Sequence, residues 1–402
     1  MVHRYHDATK HDFERFSRST GYLDWASQPH PFRSFAGSRV LPLPTSSYAR
    51  GAPPPLDDTL APLRSRVSST ERHRSTYDQL FESDPISPAP VSAEAIGDVL
   101  RHSLGLSAWK QFRESRWALR VNPSSGNLHP TEAYLVAGPV AGLAETAAVY
   151  HYAPDRHALE ERCAFDAAAW AGAVGDGSCV ALVALTSIHW REAWKYGERA
   201  FRYCQHDLGH AIAAIRFAAA LVGWRAVMVP AWSQSEIAAL VGLDRDDDFA
   251  AAEREEPACV LMIERTVGSQ PSAVGSREVR LLVDAVRSGR WSGRANQLSE
   301  VHVEWPIIDE VARATADAGH VLEGHSHASH PSHLSHASHP SHRSLDARAI
   351  VLQRRSALAF DGRSSMDRQA FLSMLDRTLP GQGAPWDALW WTPRIHLALF
   401  VH

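Results

Sequence analysis

Between Trp194 and His210 the chain sets two phenols, an ammonium and two guanidiniums at the entrance to an Ala-rich apolar run: Lys195-Tyr196-Gly197-Glu198-Arg199-Ala200-Phe201-Arg202-Tyr203, then Asp207-Leu208-Gly209-His210. A packed apolar core has no use for that many ionisable groups. The segment therefore reads as a site for an anionic or redox ligand. At helical spacing Tyr196, Tyr203 and His210 share one face, and Lys195, Arg199, Arg202 and His206 share the neighbouring one. Upstream, Pro123-Ser124-Ser125-Gly126-Asn127 gathers hydroxyls and an amide, which both donate and accept, around a glycine that lets backbone approach a flat ring. The same Ser/Gly/Asn cluster is a common turn in its own right. Arg120, just before it, suits either a phosphate or a carboxylate partner.

These residues need elements to hold them. The pattern predicts one long helix from about Trp190 to Val222, with the run Ala211 to Val222 apolar almost all round, as in a central buried helix. Gly197 and Gly209 lie inside it, each at a cost of about 1 kcal/mol relative to Ala, which is easiest to understand where a ligand or the opposite half of the molecule approaches the backbone. Helical periodicity at Ile96, Val99, Leu100 and Leu104, with strands expected at Glu132 to Gly138, Cys179 to Thr186, Ala226 to Val229 and Ala258 to Ile263, gives an α+β pattern, a sheet covered by helices.

The motifs resemble those of the FMN-dependent nitroreductase family, and within it the SagB-type dehydrogenase branch, whose azoline-oxidising members make thiazoles and oxazoles in peptides. The resemblance is carried by Arg120 to Tyr134, by Lys195-Tyr196 with Arg199, Arg202, Tyr203 and Gly209-His210, and by the leader pieces Tyr5 to His11 and Leu23 to Pro29. It implies a nitroreductase-like fold, with a central, mostly antiparallel sheet and a long helix forming the core of a dimer interface. It implies FMN as cofactor, held by Arg120, Pro123, Ser124, Ser125, Gly126, Asn127 and Arg199. Lys195 and Tyr196 then stand where the azoline oxidisers carry a Lys-Tyr pair for proton removal. A lysine whose pKa is lowered by burial and by Arg199 would suit that base.

The chain divides into five stretches: an extended, Pro- and Arg-rich leader over 1–75, the nitroreductase-like region over 76–265, a connecting segment over 266–319, a His/Ser/Pro-rich tract over 320–344, and 345–402. The tract cannot bury apolar area and is expected to be disordered; imidazoles this close could chelate a metal, but no fixed geometry holds them, so no metal site is assigned. Gln353-Arg354-Arg355-Ser356 and the helix pattern after it resemble the opening of a second, truncated nitroreductase-like domain, ending in an expected strand after Trp390. In that family the Arg-Arg-Ser opening of one subunit and the Ser-Ser-Gly segment of the other complete one FMN site. Here Ser124-Ser125-Gly126 lies in the first half and Arg354, Arg355 and Ser356 in the second, which implies a pseudo-dimer within one chain, with a homodimer as the alternative.

A formal net charge of -4 with both signs interspersed gives no nucleic-acid footprint. No apolar run spans a bilayer and no signal peptide is read, so a cytoplasmic protein without a membrane partner is expected. Four cysteines without CxxC spacing, Cys163, Cys179, Cys204 and Cys259, read as reduced core thiols. The Asp-rich turn Asp244 to Asp248 reads as a solvated loop. Three functions stay open: an FMN-dependent dehydrogenase acting on a small molecule or on a peptide presented by a peptide-modifying enzyme; a nitro or quinone reductase drawing on NAD(P)H; and a non-catalytic flavin-binding or scaffold protein.

Overall fold

The computed structural model describes residues 1–44, 75–81, 86–174, 178–265, 274–320, 346–357, 359–381, 383–395 and 397–399. The Pro-rich part of the leader and nearly all of the His-rich tract lie outside them. The main sheet runs in the order Arg290–Trp291, Ala158–Phe165, Ala147–Ala153, Thr131–Ala137, Cys179–Ser187, Glu256–Glu264, Arg225–Met228. Arg39–Pro42 adds to the same edge of Ala158–Phe165. Every pairing in it is antiparallel, with Leu135 opposite Val183 on one side and Tyr150 on the other.

The two central strands, Thr131–Ala137 and Cys179–Ser187, are buried at every residue, so both faces of the sheet must be covered. The period of two in a strand does the sorting. Ala133, Leu135, Val183 and Leu185 point to one face and meet the helices Ala93–Ser103 and Ala200–Ala220. Tyr134, Val136, Leu182 and Ala184 point to the other, against Ala167–Val174, Gln234–Val241 and Ser276–Arg287. The stretch expected to connect domains thus contributes, from residue 274 on, a core helix and an edge strand.

Three expectations change on contact with the structure. The long helix is two, His189–Tyr196 and Ala200–Ala220, separated by Gly197 at φ 52, ψ -130 and a single 3-10 turn. A Cβ at Gly197 would collide with the carbonyl of Arg18 in the leader, so neither a ligand nor another half explains that glycine. Past the break the run Ala211 to Val222 has no exposed residue, but the turns before it do not share that burial: Gln205, His206, Gly209 and His210 are exposed, and a Cβ at Gly209 would meet open space, so no approach to the backbone explains that glycine. Finally, no strand forms among the described residues after Trp390. Pro393 has no N–H to give a ladder, and Ile395, Leu397 and Leu399 remain exposed.

Candidate active site

The turn Ser125–Asn127 takes left-handed backbone at Gly126 (φ 59) and Asn127 (φ 61), conformations open to Gly and Asn. This turn lies directly on the Lys-Tyr pair. A Cβ built at Gly126 would stand 2.7 Å from Tyr196 Oη and 3.2 Å from Lys195 Nζ. Lys195 and Tyr196 are both half-buried, and the Tyr196 ring packs against Tyr203 across the helix break, centroids 4.4 Å apart and planes tilted by 44°. Burial, with Glu192, Tyr203 and Asp207 nearby, pushes the Tyr196 phenol up to about 12, so Tyr196 keeps its proton at neutral pH.

A buried charge network fixes the pair to the sheet. Glu132, on the central strand, forms an ion pair with Arg191, one turn before Lys195, and accepts from His151 Nε2 at 3.0 Å. Arg191 also donates to His129 O at 2.7 Å, which ties the same helix to the end of the Ser-Gly-Asn turn. Burial alone would raise the Glu132 carboxyl, but Arg191, His151 and Arg120 hold it well below the usual carboxylate range. Burial works against a charge on His151 too, and Glu132 with Glu160 outweighs it and raises the imidazole. Apart from Arg120, none of these buried partners was visible as a site residue in the sequence. The strand supplying His151 carries no signature beyond apolar and aromatic neighbours.

The predicted cofactor residues separate into two groups. Pro123, Ser124, Ser125, Gly126 and Asn127 stay together around the Lys-Tyr pair, with Ser124 Oγ accepting from His129 N at 2.8 Å and Asn127 Nδ2 donating to Ala118 O at 2.9 Å. Arg354 Nη2 reaches Val121 O at 3.4 Å and Arg355 Nη2 reaches Ser107 O at 3.1 Å, so the Arg354-Arg355-Ser356 opening is brought to the near end of that segment. The helix Ala347–Gln353 before it rests on Ala93–Ser103, with Arg348 3.6 Å from Asp98.

Arg120 and Arg199 lie elsewhere. Arg120 is buried, donates to Thr131 O and Pro31 O, and sits 3.8 Å from Glu132; of its two readings the carboxylate partner holds. Arg199 turns away to the leader helix Val2–Thr9, donating to Thr9 O, with Tyr203 Oη at 3.3 Å and His11 at 3.3 Å. Arg202 follows it to Thr9 Oγ1 at 3.0 Å. The break at Gly197 rotates both arginines off the face of Lys195. In the Asp-rich turn Asp248 pairs with Arg162 and Arg245, and Asp246 with Arg254. All four cysteines are buried thiols, and no helix among the described residues is long and apolar enough to cross a membrane.

Across the long helix from this site, its exposed face borders a cavity of about 1310 Å³, with Phe201, Trp232, Trp386 and Trp390 among its walls. Beside Trp386, Asp387 pairs with Arg216 at 2.7 Å.

Residues 86–260 match the model of the nitroreductase family. Over 154 residues the chain is 25% identical to a protein of Methanocaldococcus jannaschii named as a nitroreductase, spanning 37% of this chain and 73% of that one. A crystal structure of a nitroreductase-class protein from Anabaena variabilis superposes with a TM-score of 0.55 at 19% identity, over 90% of this chain; the chain spans 64% of that protein's length. A chain of the E. coli microcin synthetase McbBCD complex with truncated pro-MccB17 bound (18% identity, 53% of this chain and 80% of that one) and a nitroreductase-class protein from Ralstonia eutropha (16%, 62% and 98%) both have a TM-score of 0.36, too low to carry an argument. The chain therefore matches the nitroreductase family model over residues 86–260 and has the nitroreductase-like fold.

Proposed function

We propose that the chain is an FMN-dependent oxidoreductase of the SagB-type dehydrogenase kind, in which Lys195 and Tyr196 handle the proton that accompanies hydride transfer. One observation carries this reading: the Ser-Ser-Gly-Asn turn and the Lys-Tyr pair, about 70 residues apart in sequence, are in contact at Gly126. The residues present fit a flavin. Asn122 Oδ1 is buried without a donor at the start of the turn, Gly126 presents bare backbone, and Arg354 and Arg355 form a guanidinium pair of the kind that binds phosphate bidentately. Pro123, Ser124, Ser125, Gly126 and Asn127 would hold the ring and its sugar chain, and Arg354, Arg355 and Ser356 the phosphate.

Bound FMN supplies a two-electron acceptor for hydride. The protein must take the remaining proton when a saturated C–N or C–C bond is oxidised. Lys195 Nζ stands at the face of the Gly126 turn to receive that proton, and the Tyr196 hydroxyl orients the substrate or relays the proton. The name of a relative, a nitroreductase, favours a second reading, reduction of nitro compounds, for which NAD(P)H is the proposed donor and quinones are further candidate substrates. One experiment addresses both: FMN content and turnover of Lys195→Ala, assayed with an azoline-containing peptide and with a nitroarene plus NAD(P)H. The dehydrogenase reading predicts unchanged bound FMN and loss of azoline oxidation. Full azoline oxidation by the variant would refute it, and turnover with the nitroarene alone would establish the second reading.

A further inference from the structure

Two carboxyl groups behind the Gly126 turn have no part in the chemistry described so far. Glu192 and Asp207 are both fully buried, at 0% exposure. They come from the helices on either side of the Gly197 break and are electrostatic neighbours. We propose that they are positioning residues: Asp207 clamps the Ser125–Gly126 turn against Lys195 and Tyr196, and Glu192 stays neutral beside it, so that the pair carries one negative charge. The proposal rests on the reading of that turn as the flavin site.

The clamp is visible in its hydrogen bonds. Asp207 Oδ1 accepts from Ser125 N and from Ser125 Oγ, each at 3.0 Å, and Oδ2 lies 3.1 Å from the same N–H. Ser125 is held at two donors by one carboxylate. The next residue is the glycine that touches Tyr196 and Lys195, so moving Ser125 moves the contact on which the site depends.

Two like charges buried side by side cannot both be present, and the donors decide which acid ionises. Asp207 faces Ser124, Ser125, His206 and His210. Glu192 faces Asp207, Lys195, Tyr196 and Cys204; its carboxyl meets another acid, Asp207, and neither of its oxygens accepts from a donor. The proton therefore sits on Glu192, whose carboxyl burial and Asp207 push up to about 10 against the pull of Lys195. The consequence falls on Lys195, three residues further along the same helix. An ionised Glu192 would pair with it at i,i+3 and draw the ammonium into the protein. A neutral Glu192 leaves Lys195 facing the turn.

The test uses the full chain, without and with added FMN. Hydrogen exchange of the peptide containing Ser125 reports the clamp independently of flavin. In Asp207→Ala it should exchange at least tenfold faster than in wild type, while a peptide from Cys179–Ser187 is unchanged. Asp207→Asn, which keeps one acceptor oxygen, should fall between. Infrared difference spectra at pH 7 should show the C=O stretch of a protonated carboxyl in wild type and lose it in Glu192→Gln. With FMN, Asp207→Ala should lower kcat more than it raises KM for substrate. Unchanged exchange in both Asp207 variants overturns the clamp, and a carboxyl band that survives Glu192→Gln overturns the neutral partner. A wild-type protein that shows the exchange pattern but takes up no FMN would leave the clamp standing and refute the flavin site.

Discussion

Replacing Glu192 with Gln should change how stability depends on pH more than it changes stability at any one pH. Glu192 has an ordinary carboxyl pKa of 4.5 in the unfolded chain and one of about 10 when folded, raised first by burial and then by Asp207. The sign follows from linkage. A group with a raised folded pKa contributes stability that is fully present below pH 4.5 and is lost as pH rises toward 10. Between those values the native state holds one proton that the unfolded state has released, so wild type loses about 1.4 kcal/mol per pH unit from this site. From pH 6 to 8 that is about 2.7 kcal/mol, or roughly 5–10 °C in Tm for a domain of this size. Gln is isosteric and does not titrate, so every other pH effect cancels in the comparison. Thermal unfolding of both proteins at pH 6, 7 and 8 should therefore give Tm values that diverge in favour of Glu192→Gln as pH rises. Parallel curves would show that Glu192 is ionised in the folded protein and would refute the reasoning.

Gly126→Ala should weaken FMN binding at least tenfold, as read by quenching of flavin fluorescence, because left-handed backbone costs a non-glycine residue about 1–2 kcal/mol and the new methyl would stand 2.7 Å from Tyr196 Oη. The double variant Arg354→Ala, Arg355→Ala should lose FMN affinity by a factor of roughly 100 or more, at about 1.5–3 kcal/mol for each charge-assisted contact removed; full occupancy in isothermal titration would dismiss the cross-half site. Arg199→Ala should leave FMN affinity within about twofold of wild type while limited proteolysis cuts the leader helix Val2–Thr9 faster, since its guanidinium serves Thr9 O.

The candidate site motifs stood out in the sequence more clearly than the scaffold that holds them. Lys195-Tyr196 and Ser124-Ser125-Gly126 were legible because ionisable and turn-forming groups stand out against apolar runs, and the four expected strands all formed, with ends moved by one or two residues. The hairpin Ala147–Ala153 and Ala158–Phe165 was missed although Pro154-Asp155 marks its turn; its strands put His151, Glu160 and Arg162 inside, which breaks the polar-out alternation that reveals a strand. The helix break at Gly197 was hidden because its cause is the leader carbonyl of Arg18, about 180 residues distant. Arg120 and Arg199 were read by charge alone, and charge does not say whether Glu132, Thr9 or a phosphate is the partner. Asp207 stood in a quoted motif without a role, since its role depends on Ser125, which only the fold brings to it.

The flavoprotein proposal turns on a site that joins the Gly126 turn to the Arg354-Arg355 opening. The visible absorption spectrum of the full chain purified without added cofactor, with the released chromophore identified by chromatography, tests it most directly. A flavin site of this kind should give an oxidised-flavin spectrum and FMN in a ratio of about one per chain. A colourless protein that takes up no FMN on titration would contradict it.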